Sequence, residues 1–191
     1  MPGTQDQAGR KTARIVPRKT PPPGGPAAVK LLILDCDGVL TDGRLIYGPG
    51  GEVLQQFSVH DGYGVECLRS AGVEVAIVTG KTYSSLVHRA RTLGVKRVVQ
   101  GATDKAAALS DLARQCGLSL DEVAYVGDDI PDVAAMRLAG FSAAPGNARP
   151  EAKAAARHVC ERQGGDGAVR EVAELILRAR RAWPPAGAAP K

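Results

Sequence analysis

Val29-Lys30-Leu31-Leu32-Ile33-Leu34-Asp35-Cys36-Asp37-Gly38-Val39-Leu40-Thr41-Asp42-Gly43 sets the architecture of this 191-residue chain. The apolar run through Leu34 reads as a buried strand, so Asp35 and Asp37 stand at a strand's carboxyl end, where open α/β sheets keep their chemistry. Gly38 permits a sharp turn, and the two carboxylates can then converge. Like charges held that close repel, and a hard oxygen-binding cation such as Mg2+ would neutralise them. Asp-x-Asp-Gly alone is also an ordinary turn, so the rest of the chain has to decide.

Three further strand ends point the same way. Val75 to Val78 is a second apolar strand ending in Thr79-Gly80-Lys81, and a hydroxyl with freed backbone amides suits phosphate oxygens. Thr103-Asp104-Lys105 opens a helix with a lysine in its first turn, against the helix-dipole preference. An anion bound nearby explains that placement better than a solvated surface lysine. Val123 to Val126 leads into Gly127-Asp128-Asp129-Ile130-Pro131-Asp132, which carries three carboxylates, and Asp132 also fits a helix start.

Strand and helix patterns alternate, which predicts an α/β chain folded as a three-layer α/β/α Rossmann-like sandwich with a parallel sheet. Helices are expected over about 63–71, 83–93, 104–116, 131–139 and 167–181, with short strands near Val98-Val99 and Phe141 to Ala143. The last helix would turn Val169, Val172, Leu175 and Ile176 inward. Leu45-Ile46-Tyr47 and Val53 to Phe57 flank Gly48-Pro49-Gly50-Gly51, the pattern of a β-hairpin inserted over about 44–58. A lone hairpin is marginal in water, so Ile46, Tyr47, Val53 and Phe57 are expected to pack on something.

Residues 1–28 hold five bases against one acid, with six prolines and no hydrophobic period, and read as a disordered tail. The folded domain then spans 29–181, and 182–191 form a flexible tail. The net charge of +5 belongs to the two ends: Arg178, Arg180, Arg181 and Lys191 add four charges at the carboxyl end, which leaves the core near −3. With no stripe of basic and aromatic residues to read bases, no specific nucleic-acid partner is expected. Cys36, Cys67, Cys116 and Cys160 are scattered and read as buried reduced thiols. No apolar run is long enough to span a membrane, no apolar stretch follows the basic residues as a secretion signal requires, and the cytoplasm is the expected compartment.

The four strand-end loops, carrying carboxylates, a threonine, a lysine and carboxylates in that order, resemble the four motifs of the haloacid dehalogenase superfamily. His60-Asp61-Gly62-Tyr63-Gly64 and Gly164-Gly165-Asp166-Gly167-Ala168-Val169-Arg170-Glu171 narrow the resemblance to the 3-deoxy-D-manno-octulosonate 8-phosphate phosphatase family. The resemblance covers about residues 30–180 and implies a Mg2+-dependent phosphomonoesterase of lipopolysaccharide precursor synthesis, working through an aspartyl phosphate. It implies Asp35 as nucleophile and Asp37 as acid and base. Mg2+ would rest on the carboxylates of Asp35 and Asp128 and the backbone carbonyl of Asp37. Thr79, Gly80 and Lys105 would hold the phosphate, and Asp129 and Asp132 would support the metal and Lys105 from behind. His60, Asp61, Tyr63, Lys81 and Arg170 are candidates to line the pocket of an acidic sugar phosphate, with Arg44 a further possible anion contact. In this family the hairpin replaces a large cap domain, and hairpins meet in a homotetramer whose subunits help close each site.

Two positions depart from the family pattern. Lys81 and Asp166 stand where arginine is usual, and lysine lacks the bidentate fork that grips a carboxylate. A nonulosonate 9-phosphate or another acidic sugar phosphate is therefore an alternative substrate. Two other classes come into question: a response-regulator receiver, whose phosphorylated Asp lies mid-chain, and a non-catalytic tetramerisation domain of the same fold. Asp35 on the first strand argues against the former, and retention of Asp35, Asp37, Lys105 and Asp128 against the latter.

Overall fold

The computed structural model of the protein describes residues 24–51 and 53–185. Six parallel strands form one sheet: β1 (Leu31–Leu34), β4 (Glu74–Val78), β5 (Arg97–Val99), β6 (Val123–Val126), β7 (Phe141–Ala144) and β8 (His158–Val159), in the order β5-β4-β1-β6-β7-β8. β2 (Ile46–Tyr47) and β3 (Val53–Leu54) pair separately as an antiparallel hairpin between β1 and the first helix, as expected.

The chain runs outward from β1 to β4 and β5, then returns past β1 to β6, so the order reverses between β1 and β6. A crevice opens at such a reversal, and Asp35 and Asp128 are the residues at or just past its two strand ends.

Both faces of the sheet are covered, which is why β1 is apolar at every position. Leu32 and Leu34 meet α1 (Val59–Ser70), α2 (Ser84–Thr92) and α6 (Ala168–Ala179), whereas Leu31 and Ile33 meet α3 (Lys105–Gln115), α4 (Val133–Leu138) and α5 (Pro150–Ala155). α6 buries Val169, Val172, Ala173, Ile176 and Leu177 completely, and Leu175 only partly. Those spacings follow the helical repeat more closely than the expected set.

α1 begins at Val59, four residues before expectation, because Ser58 caps it by accepting from the Asp61 amide and because its glycines are tolerated by packing. A Cβ on Gly64 would lie 3.0 Å from the Arg170 Cα on α6, tighter than ordinary contact. The small residue lets the two helices close up.

Neither α5 nor β8 was expected; both are short, and β8 occupies the sheet edge. The expected unstructured segment 1–28 is corrected at its end. Pro26–Ala28 form a 3-10 turn against α6, and the buried Gly24 carbonyl accepts from Arg157. Ala182 and Trp183, assigned to the flexible tail, pack on the core. The expectations for 1–23 and 186–191 lie outside the described residues. Of the four hairpin residues expected to pack, Val53 and Phe57 reach the core, while Ile46 and Tyr47 are 56% and 66% exposed.

Asp61 closes the α1–α6 contact. Its Oδ1 accepts from the Arg170 amide at 2.8 Å and its Oδ2 from the Gly167 amide at 3.3 Å, so one buried carboxylate caps the start of α6 from a neighbouring helix. Asp61→Ala is expected to destabilise the fold by about 1–2 kcal/mol in urea unfolding, the cost of a lost cap, with KM unchanged. Wild-type stability would show that the cap contributes nothing.

Candidate active site

β1 delivers Asp35 into the crevice, and the chain then winds through a wide turn over Cys36–Leu40. Gly38 has φ +85°, and a Cβ there would overlap the Asp128 carboxylate, so the first and last motifs touch only because residue 38 has no side chain. The loop at Gly164 lies against the same turn: the Gly165 amide donates to the Val39 carbonyl at 3.0 Å, and the Gly164 amide to the Asn147 side chain at 2.9 Å.

Lys105, the first residue of α3, is buried and reaches two carboxylates. Its Nζ lies 2.9 Å from Asp35 Oδ1 and 2.7 Å from Asp132 Oδ1. Asp132 is in turn saturated: Oδ1 also accepts from the Tyr125 hydroxyl at 2.8 Å, and Oδ2 from the amides of Asp128 and Asp129 at 3.2 Å each. The unusual placement of a lysine in a first helical turn is thus explained by carboxylates of the chain itself. Asp132 holds Lys105, whereas Asp129 Oδ1 accepts from the amide of its neighbour Ile130.

Asp37 stands at the rim, half-buried. Its Oδ1 accepts from Gln55 Nε2 at 3.1 Å, and the Tyr83 hydroxyl is a second partner. Thr79 is buried beyond β4, its Oγ1 accepting from the Lys81 amide at 3.2 Å, with Gly80 and Lys81 exposed beside it. Thr79, Gly80 and Lys81 thus stand together at the carboxyl end of β4.

Of the expected sugar contacts, Lys81 lies near enough to Asp37 to act on its charge, whereas Asp61, Arg170 and His60 are directed elsewhere within one chain. Asp61 is withdrawn from the pocket because both its oxygens cap α6. Arg170 pairs with Glu174 at 2.9 Å and lies 5.0 Å from the Tyr63 ring and 4.8 Å from the Trp183 ring. It and His60 line a cavity of about 630 Å3, with Arg162, Asp166 and Glu171, that includes none of the residues around Asp35. Arg44 is exposed and pairs with Asp42. Gln55, Tyr83 and Tyr125 were missed; only Tyr125 left a trace, since a phenol in a buried strand needs a partner.

Charge in the crevice is unbalanced. Asp35, Asp128 and Asp132 each place an oxygen within 4.8 Å of the others, against the one ammonium of Lys105. Burial, then repulsion from Asp132, holds the Asp35 carboxyl well above the usual range despite Lys105. Burial, then Asp132 and Asp129, pushes Asp128 up to about 7. Burial also raises Asp37, against the pull of Tyr83 and Gln55. Crowded hard oxygens short of positive charge fit Mg2+. Asp35 and Asp128 retain oxygens for it, whereas Asp132 has none to spare.

The sequence and the fold have close counterparts. Residues 95–172 match the family model of haloacid dehalogenase-like hydrolases. The chain is 43% identical over 152 residues to the 3-deoxy-D-manno-octulosonate 8-phosphate phosphatase of Escherichia coli (strain K12), covering 80% of this chain and 81% of the relative. The crystal structure of the phosphatase of that name from Moraxella catarrhalis, in complex with magnesium, phosphate and KDO, superposes with a TM-score of 0.81 at 39% identity, covering 82% and 90% of the two chains. A cobalt-bound phosphatase from Haemophilus influenzae gives 0.80 at 38% identity, covering 82% and 91%.

The raised carboxyls make stability pH-dependent. A folded state that holds these protons above the ordinary value of 3.8 has a stability contribution that is complete below that value and lost as pH rises through about 7. Metal-free protein is therefore expected to lose melting temperature between pH 5 and 8. Mg2+, which binds the ionised carboxylates, is expected to restore roughly several degrees at pH 8 and little at pH 5. Asp128→Asn should flatten both effects in thermal unfolding. A Mg2+ shift independent of pH would contradict the charge imbalance.

Proposed function

Because the chain belongs to the haloacid dehalogenase-like hydrolases, in the branch of the 3-deoxy-D-manno-octulosonate 8-phosphate phosphatases, we propose that it hydrolyses 3-deoxy-D-manno-octulosonate 8-phosphate to the free sugar acid and phosphate. It is a Mg2+-dependent phosphoric monoester hydrolase, and the substrate places it in lipopolysaccharide precursor synthesis. The observation that carries the reading is the convergence of Asp35, Lys105 and Asp128 at the point where the strand order reverses.

The roles follow from position. Asp35 attacks phosphorus in line; its oxygen–phosphorus bond forms as the bond to the sugar oxygen breaks. The departing oxygen takes the electron pair and a proton from Asp37. Water then attacks the aspartyl phosphate, Asp37 recovers the proton, and Asp35 is released with inorganic phosphate. Lys105, locked to Asp132, fixes Asp35 and offers positive charge to the phosphoryl oxygens, while Thr79 and Gly80 hold the others. Asp35, Asp128 and the Asp37 carbonyl would hold Mg2+, which supplies charge neutralisation between carboxylate and phosphate. Lys81, exposed at the rim, is placed to meet the sugar carboxylate.

The assembly belongs to the same proposal. Leu45, Ile46, Tyr47 and Leu54 leave exposed apolar side chains on a hairpin of two residue pairs, with Ile46 and Leu54 paired across it. A second copy would cover it, and a homotetramer would bring the His60–Arg170 surface of one subunit toward the site of another. Among the described residues no helix is long and apolar enough to cross a membrane. The four cysteines are free and three are buried, which fits a reducing cytoplasm.

Asp35→Asn is expected to abolish phosphate release with the fold intact, and near wild-type turnover would remove it as nucleophile. Asp37→Asn should cost the octulosonate ester, a poor leaving group, far more than p-nitrophenyl phosphate. Equal losses would remove the proton-transfer role. Ile46→Asp with Leu54→Asp should shift the particle toward monomer in light scattering and reduce hydrolysis of the sugar ester more than of the aryl ester. A wild-type monomer with full activity would exclude the shared site, and a preference for neutral sugar phosphates would exclude the substrate while leaving the chemistry standing.

A further inference from the structure

We propose that Gln55, carried on the inserted hairpin and oriented by Ser85, is a positioning residue that holds Asp37 by Oδ1 so that Oδ2 delivers and recovers the proton, an inference that rests on the proton-transfer role given to Asp37 above. Gln55 lies 18 residues beyond Asp37, where the chain leaves the hairpin after β3. Its Nε2 is 3.1 Å from Asp37 Oδ1 and 3.5 Å from Cys36 Sγ, and its Oε1 is 2.7 Å from Ser85 Oγ.

The chemistry of the groups fixes their order. A carboxylate only accepts, so the amide end that faces it must be the N–H, which turns the carbonyl toward Ser85 and makes the hydroxyl a donor. Asp37 excludes the flipped amide, which would set Oε1 against the carboxylate, and the Ser85 hydroxyl, free to donate or accept, anchors Oε1 in the orientation that remains. With Oδ1 accepting from Gln55, the acid form of Asp37 carries its proton on Oδ2. That proton passes to the sugar oxygen as its bond to phosphorus breaks, and returns from the attacking water. The Tyr83 hydroxyl, the other partner of Asp37, donates to the carboxylate or accepts from the acid, and so follows the proton either way.

The hairpin exit is clamped to α2 at a second point. Arg89 stands one turn after Ser85 and donates from Nη2 to the Ser58 carbonyl at 2.8 Å, with its guanidinium 5.8 Å from the Phe57 ring. Two positions on one face of α2 thus fix residues 55–58 on both sides of the turn into α1. The insert therefore contributes directly to the reacting carboxyl.

The test compares kcat on 3-deoxy-D-manno-octulosonate 8-phosphate, whose alkoxide needs a proton, with kcat on p-nitrophenyl phosphate, whose phenolate does not. Four variants are needed: Gln55→Met, Ser85→Ala, their double variant and Asp37→Asn. Gln55→Met keeps the shape without a donor and is expected to lower kcat on the sugar ester roughly 10- to 100-fold, a part of the usual general-acid contribution, and on the aryl ester less than about threefold. KM for both should stay within about twofold, because binding is not altered. Ser85→Ala should lose less alone and nothing further on the Gln55→Met background, since it acts through Gln55. Gln55→Met matching wild type, equal losses on both esters, or a Ser85→Ala effect that persists without Gln55 would overturn the relay and leave Asp37 in its role. Equal losses on both esters in Asp37→Asn would overturn that role and the relay with it.

Discussion

A single buried carboxylate organises the crevice. Asp132 accepts from Lys105, the Tyr125 hydroxyl and the amides of Asp128 and Asp129, and so ties α3, β6 and the loop after β6 to one point. Lys105 is then held against Asp35 at the end of β1. Removing one partner from such a buried chain typically costs about 3–5 kcal/mol, because it leaves a charge without compensation. The same chain sets the chemistry, since three acids and one ammonium leave the site short of positive charge, and a divalent cation and a phosphate group each find a complementary partner there.

The hairpin is the second organising feature. Its tip is too small to be stable alone, yet its exit is anchored through Gln55 to Asp37 and through Ser58 to Arg89. One end of the insert thus belongs to the reacting carboxyls and the other presents Leu45, Ile46, Tyr47 and Leu54 outward. Under the proposed function, the assembly and the proton transfer would share this one element.

Much of this was legible in the sequence because strand ends leave a strong local pattern. Apolar runs followed by Asp35, Thr79 and Asp128 give the strands, the layer order and the crevice. What was illegible depends on partners distant in the chain. Asp61 sits in a motif that reads as a sugar contact, but its oxygens serve amides more than a hundred residues away. α1 was expected only from about residue 63, and the approach of Arg89 and of α6 to Gly62 and Gly64 is a contact between segments distant in the chain. Gln55 is one polar residue in a short strand pattern, and its role appears only when Ser85 and Asp37 meet it. Segments 150–155 and 158–159 are too short for periodicity to reveal.

The nucleophile can be read directly by quenching the wild-type enzyme in acid during turnover and reducing the acyl phosphate with borohydride. Reduction converts the phosphorylated aspartate to homoserine, which peptide mass spectrometry locates. The mechanism requires homoserine at position 35, dependent on Mg2+ and on substrate. Homoserine at Asp37 or Asp128, or none at any aspartate while phosphate is being released, would contradict it.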